Sequence, residues 1–276
     1  MCILFVAVNQ HQDYPLIIAA NRDEFFARPT TASHFWQDSP EPMAKDPEPM
    51  AKNPEPTVNN PPLLAGKDEQ AGGTWMGITR AGRLAALTNI RDPKKIKKDA
   101  ITRGALVSQY LQGDAQQAAY LAQLQRTETH YNGYNLLFGP WHSLQVYNNH
   151  LDQSEQLSSG VYGLSNASLN SPWPKINKGT MQLAEYCHDG HSIQPEKLFA
   201  LLKDKHQAED HNLPKTGVPI EWERQLSSIF IQGEDYGTRS STVLLIDKNQ
   251  QITWQERTFN QQAVCVGQKN YNFGIN

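Results

Sequence analysis

Little in this 276-residue chain invites a metal, a disulfide or a membrane. Cysteine occurs three times, at Cys2, Cys187 and Cys265; the odd count and wide spacing exclude a disulfide framework. No CxxC pair and no HExxH motif is present, which argues against a structural zinc site and leaves no metal expected. Cys187-His188, with His191 close behind, is the one Cys/His cluster, and it reads as the polar end of a helix. The net charge is only −3, so global electrostatics offer no case for nucleic acid or an anionic membrane. No apolar run approaches the ~20 residues that span a bilayer, so no integral membrane segment is expected. The N-terminus lacks the basic region and cleavage pattern of a signal peptide, and a cytoplasmic location is the expectation.

What is present concentrates at the start. Cys2 to Val8 and Pro15 to Ala20 are two apolar runs rich in β-branched residues, separated by the polar Asn9 to Tyr14. They predict a buried hairpin leading into Asn21-Arg22-Asp23-Glu24. Cys2 follows the initiator Met, and its small side chain permits removal of Met1. One residue would then carry a thiol (pKa ~8.5) and a free α-amine (pKa ~7.7–8.0), a nucleophile beside its own base. The plainer alternative is a buried strand cysteine, a common fate for this residue type.

Along the rest of the chain, near-identical heptads fill Pro40 to Pro61, beginning Pro40-Glu41-Pro42-Met43-Ala44-Lys45-Asp46 and repeating from Pro47 and Pro54. Such dense proline forbids helix and sheet ladders and predicts an extended surface loop. Gly72 to Thr79 and Leu84 to Arg91, joined by Arg80-Ala81-Gly82-Arg83, predict a second hairpin. The basic run Lys94-Lys95-Ile96-Lys97-Lys98 reads as a solvated face, with an anionic-ligand contact as the alternative because it trails Asn89 and Arg91. Helices are expected over about Ile101 to Gln112, stopped by Gly113, and from Asp114, whose spacing to Gln117 fits a capping box. The second would bury Ala118, Leu121, Ala122 and Gln125. Strands are expected at Tyr134 to Gly139, Ser143 to Tyr147 and Val161 to Asn166, then helices over Pro172 to Cys187 and Pro195 to Lys205. A polar loop follows from His206 to Pro219, and strands close the chain at Ser240 to Asp247, Ile252 to Gln255 and Ala263 to Val266. Antiparallel hairpins dominate and βαβ alternation is missing, so one α+β domain over 1–276 is expected, two face-to-face sheets covered by helices.

Six ordered blocks carry a family resemblance: Met1-Cys2 with Asn21-Arg22-Asp23-Glu24, Arg28-Pro29, Ala71 to Trp75, Leu87 to Arg91, Gly163 to Asn166 and Thr238 to Thr242. They run almost the length of the chain, which resembles the NRDE family, that of the transport and Golgi organisation proteins. The heptad stretch departs from that pattern, in which the connection is much shorter. The resemblance implies a four-layer αββα sandwich of the N-terminal-nucleophile hydrolase type. It is similar above all to the branch that begins with Cys at position 2, the choloylglycine hydrolases and penicillin V acylases. Carried over position by position, it implies a working set of Cys2, Arg22 with Asp23, Asn89, Asn166 and Arg239. In the branch an Arg precedes its Asp by three residues, whereas here Arg22 and Asp23 adjoin. Neighbours in a strand face opposite ways, so Asp23 is the favoured partner of the Cys2 amine.

Those residues make chemical sense in such a set. A thiolate attacks a carbonyl while the amine shuttles the proton, and Asp23 holds the amine. Asn89 would donate to an oxyanion, Asn166 would orient substrate or complete the hole, and Arg239 would lower the thiol pKa. Taken singly, each Asn also fits a turn cap and Arg239 a surface ion pair. Trp75, Arg22 and Arg91 are expected to line a substrate or ligand site. Two functions follow from the resemblance. One is hydrolysis of an amide or thioester by Cys2, with no cofactor required. The other is a non-catalytic carrier of haem, acyl-CoA or another small lipid-like ligand, with Arg22, Arg91 and the lysine run meeting propionates or phosphates.

Overall fold

The computed structural model describes residues 2–36, 62–189 and 192–276; Met1, the heptad stretch, Gly190 and His191 lie outside these. The first strand explains the rest of the architecture. In β1 (Cys2–Val8) nearly every side chain is buried, which an element achieves only with partners on both faces. Alternation sends Leu4 and Val6 one way, into a core shared with Ile18, Ile78, Leu137 and Leu244. It sends Ile3, Phe5 and Ala7 the other way, against Ile176, Leu183, Leu198 and Phe199.

Among the described residues, thirteen strands form two antiparallel sheets. The first has the order β10-β1-β2-β11-β12-β13, built from β1, β2 (Leu16–Phe25), β10 (Gly160–Leu164), β11 (Tyr236–Ile246), β12 (Gln251–Phe259) and β13 (Cys265–Gly274). The second runs in sequence order from β3 (Thr30–Phe35) and β4 (Leu63–Asp68) through β5 (Met76–Thr79), β6 (Arg83–Asn89), β7 (Tyr134–Pro140) and β8 (Gln145–Asn148) to β9 (Gln153–Gln156). Helices α3 (Pro174–His188) and α4 (Pro195–Leu202) cover the first sheet through the core under Phe5 and Val243. Helices α1 (Gly104–Gln112) and α2 (Gln117–Thr127) cover the second, where Leu106, Tyr110, Tyr120 and Leu124 meet Ala85, Leu136 and Phe138. A short α5 (Ile220–Gln225) precedes β11. The layering is αββα, as expected. No helix among the described residues is long and apolar enough to cross a membrane.

Two expectations about α2 need correction. The helix starts at Gln117 behind an extended Gln116, and Asp114 does not cap it. Tertiary bonds decide this: Arg83 Nη2 donates to the Ala115 carbonyl at 3.0 Å, and the Gln117 side-chain amide donates to Phe138 and Ser143 carbonyls at 3.1 and 2.9 Å. These bonds keep the residues before Gln117 out of the helix. With the later start the buried stripe is Tyr120 and Leu124, while Ala118 and Gln125 face solvent and Leu121 and Ala122 are half-buried.

Gly179 fixes how closely α3 approaches the first sheet. A Cβ at this position would run into the Phe5 ring on β1. Gly179→Val is therefore expected to lower stability by about 1–3 kcal/mol, the usual cost of overpacking a closed core. Urea unfolding measures it; an unchanged midpoint would show that α3 has slack over β1.

Candidate active site

The β1–β2 hairpin sets Cys2 directly opposite Arg22. Cross-strand partners share a face, and this face looks toward the second sheet. There Cys2, Ala20, Arg22 and Thr242 meet Trp75, Met76 and Leu87 around a void of about 10 Å³. The Arg22 guanidinium lies 4.3 Å from the centre of the Trp75 ring and donates to Thr30 Oγ1 at 3.2 Å. The strand does not end at Arg22 but continues to Phe25, so Asp23 takes the opposite, helix-covered face. Its neighbour but one, Asn21, shares that face and donates to the Leu202 and Ile229 carbonyls, both at 2.9 Å.

Asp23 is buried and accepts a 2.7 Å hydrogen bond from Thr238 Oγ1, while Tyr236 donates to its backbone carbonyl at 3.1 Å. Burial pushes its carboxyl up from the ordinary value; the amino terminus, Lys175, the Thr238 bond and Arg22 pull the other way. The Cys2 thiol is also pushed up by burial, against the amino terminus. The Asp23 charge adds to the rise, while Arg22 and the Asp23 backbone N–H oppose it. The thiol therefore holds its proton until a base removes it.

Asn166 joins this set through its neighbours. Ser165 Oγ donates to the Cys2 carbonyl at 3.3 Å and to Asn166 Oδ1 at 3.1 Å. Asn166 Nδ2 donates to the Asn89 carbonyl at 2.9 Å, and its own carbonyl accepts the Arg91 N–H at 2.8 Å. Asn166 is thus spent on holding the end of β6. The side-chain amide of Asn89 has no partner among the described residues and lines a cavity of about 280 Å³. Arg91 forms a buried ion pair with Glu223 at 2.6 Å, and Glu223 accepts two further bonds from Thr216.

Arg239 sits where the β2–β11 register shifts, a bulge between Thr238 and Ser240. Its guanidinium donates to the Phe25 and Arg28 carbonyls at 2.7 and 3.0 Å, so it clamps the turn after β2. The guanidinium that lowers the thiol is that of Arg22.

Three functional-looking residues escaped the sequence reading. Lys175, on α3, is buried with its ammonium on the Leu226 carbonyl at 2.9 Å. Burial and the Arg91 charge push it down to about 7, against Asp23, Glu223 and Cys2. Its signal was present: Lys175, Gly179, Leu183 and Cys187 follow one another every four residues along the buried stripe of α3. Glu223, which holds Arg91, lies on α5, a helix that was not foreseen. Glu256 carries the alternation Ile252, Trp254, Glu256 into the buried face of β12, where it accepts the Ser33 N–H and Oγ–H, both at 2.8 Å.

The αββα layering defines the class of fold. Over 99% of this chain and 98% of the other, the structure superposes on a variant of the conjugated bile acid hydrolase of Clostridium perfringens with a TM-score of 0.50 and 8% identity. This likeness speaks for the fold alone, which is that of the N-terminal-nucleophile hydrolases. The family is narrower. A family model described as Transport and Golgi organisation 2 matches residues 1–46 and 48–261. The Transport and Golgi organization protein 2 homolog of Bos taurus is 32% identical over 275 residues, 94% of this chain and 93% of the relative. The corresponding homolog of Mus musculus is 32% identical over 279 residues, with the same coverage. The chain belongs to the Transport and Golgi organisation 2 family.

Lys175 supplies a pH test of the cluster. An ordinary lysine keeps its proton up to 10.5, this one only up to about 7. Between those values the unfolded chain binds the extra proton, so stability rises with pH across that window. The Lys175 contribution is least favourable below pH 7. The stability difference between the wild type and Lys175→Met should therefore shift in favour of the wild type from pH 7 toward 10, by at most about 1.4 kcal/mol per pH unit. Urea midpoints at several pH values measure it, and a difference that stays constant would contradict the depressed value.

Proposed function

We propose that the protein is a Cys2-dependent hydrolase of amide or thioester bonds. The observation carrying this is the placement of Cys2 at the head of β1, directly opposite Arg22 and beside Asp23 on the neighbouring strand. In the reaction, Met1 has been removed and the free α-amine of Cys2 takes the thiol proton. The sulfur attacks the substrate carbonyl carbon, forming the S–C bond and a tetrahedral oxyanion. Asn89, whose amide is unengaged, donates to that oxygen. The intermediate collapses as the bond to the leaving nitrogen or sulfur breaks, and the departing group takes the proton back from the amine. Water then hydrolyses the acyl-cysteine through the same base. Asp23 holds the ammonium form, and Arg22 stabilises negative charge on sulfur from its seat on Trp75. Asn166 and Arg239 are positioning residues: one fixes the end of β6 that bears Asn89, the other the turn after β2.

The raised thiol pKa gives this scheme its need for a base. Screening short-chain acyl amides and thioesters with the wild type should find turnover that Cys2→Ala abolishes. Asn89→Ala should lower kcat by about 10²–10³-fold, the usual effect of losing one oxyanion donor. Turnover that persists in Cys2→Ala would refute the assignment, and full activity in Asn89→Ala would remove that residue from it.

A further inference from the structure

The cavity bordered by Asn89 has a charge pattern that the proposed hydrolysis does not use. Its wall includes Arg91, Asp92, Lys95, Arg103 and His150. Of the three cations, one is neutralised within the fold. Arg91 is neutralised by Glu223 at 2.6 Å. Lys95, its ammonium 3.3 Å from His150 Nε2, sits opposite Asp92, whose carboxylate lies 3.5 Å from the same imidazole nitrogen. Arg103 is different. Its one hydrogen bond among the described residues is to the Gly133 carbonyl, at 3.1 Å, and none of their carboxylates is within ion-pair distance. A half-buried guanidinium with five donors and one acceptor is poised for a planar oxyanion.

The cavity is also tied to the strand that bears the thiol: Asn89 on its wall accepts a 2.9 Å bond from Asn166 Nδ2, and the adjoining Ser165 donates to the Cys2 carbonyl at 3.3 Å. Of the basic run, Lys95 reaches the wall of the cavity, whereas Lys97 is turned onto the Thr129 carbonyl at 2.6 Å.

We propose that this cavity is an oxyanion subsite, in which Arg103, seconded by Lys95, holds a carboxylate or phosphate group of the molecule whose carbonyl reaches Cys2. The word substrate rests on the hydrolase reading, but the anion site itself does not. A volume of about 280 Å³ takes a charged group with a few attached carbons and little more.

Butyrate, butyl phosphate and neutral butyramide are the probes, titrated calorimetrically into the full chain. At least one of the two anions should bind, weakening as salt is raised, and butyramide should not. Arg103→Gln should weaken the anion at least tenfold and Lys95→Gln two- to threefold; the latter change is at an exposed side chain and spares the fold. The tighter of the two anions identifies a carboxylate or a phosphate as the group recognised. Butyramide binding as well as the anions, or affinities that both variants leave unchanged, would overturn the site. The bound anion should also slow alkylation of Cys2 by iodoacetamide, located by peptide mass. Arg103-dependent binding with no protection of a reactive Cys2 would overturn its assignment to the Cys2 substrate. A Cys2 inert to iodoacetamide even without anion would count against the hydrolase reading, while the calorimetry would still decide the anion site.

Discussion

The pairing of Cys2 with Arg22 is the constraint on which the rest depends. Strand geometry allows no choice once that register is set: Cys2 and Arg22 look between the sheets, and Asp23 looks toward α3. A slip of β2 by one residue would exchange its faces and bury Asp23 between the sheets, in the apolar layer of Leu4 and Val6. The hydrophobic faces of β1 and β2 forbid that slip, since each is matched to a different core. The register of the site is therefore enforced by several buried aliphatic side chains at once.

Around this hairpin the site mixes strong burial with charge. Asp23, Arg91, Glu223 and Lys175 lie within one another's electrostatic reach, and each is nearly cut off from water. In such surroundings a charge is tolerated only with a partner, or it is given up. Arg91 has Glu223 at 2.6 Å and keeps its charge. Lys175 has a carbonyl as its hydrogen-bond partner, and its proton is held weakly. The cluster thus places one easily titrated group within reach of Cys2 and Asp23. Glu256 has the corresponding place between the sheets, where two bonds from Ser33 tie β12 to β3.

Much of this was legible in the sequence because the relevant signals are local. The apolar runs of β1 and β2, the Gly82 turn between β5 and β6, and the proline-led starts of α3 and α4 all depend on a few adjacent residues. The strands β3, β4 and β9 were not foreseen: Thr30 to Phe35 and Gln153 to Gln156 are polar, and their strand form comes from the ladders they make, β3 with the distant β4 and β9 with the neighbouring β8. The start of α2 was misplaced for a related reason, since Arg83 and the sheet carbonyls outcompeted a local cap. The resemblance brought Cys2, Asp23, Asn89 and Asn166 to notice, and the fold places them around one hairpin and the end of β6. It placed Arg239 near the thiol, whereas the bulge at that position turns its side chain onto the Phe25 carbonyl.

The central claim is that this hairpin presents a free N-terminal cysteine. The intact mass of the purified protein tests it most directly. A mass lower than that of the full translation product by one methionine residue, with Cys2 as the first residue on sequencing, is the result expected. A protein that retains Met1 throughout would have an amide where the base is required, and the account of the site as a nucleophile beside its own amine would be contradicted.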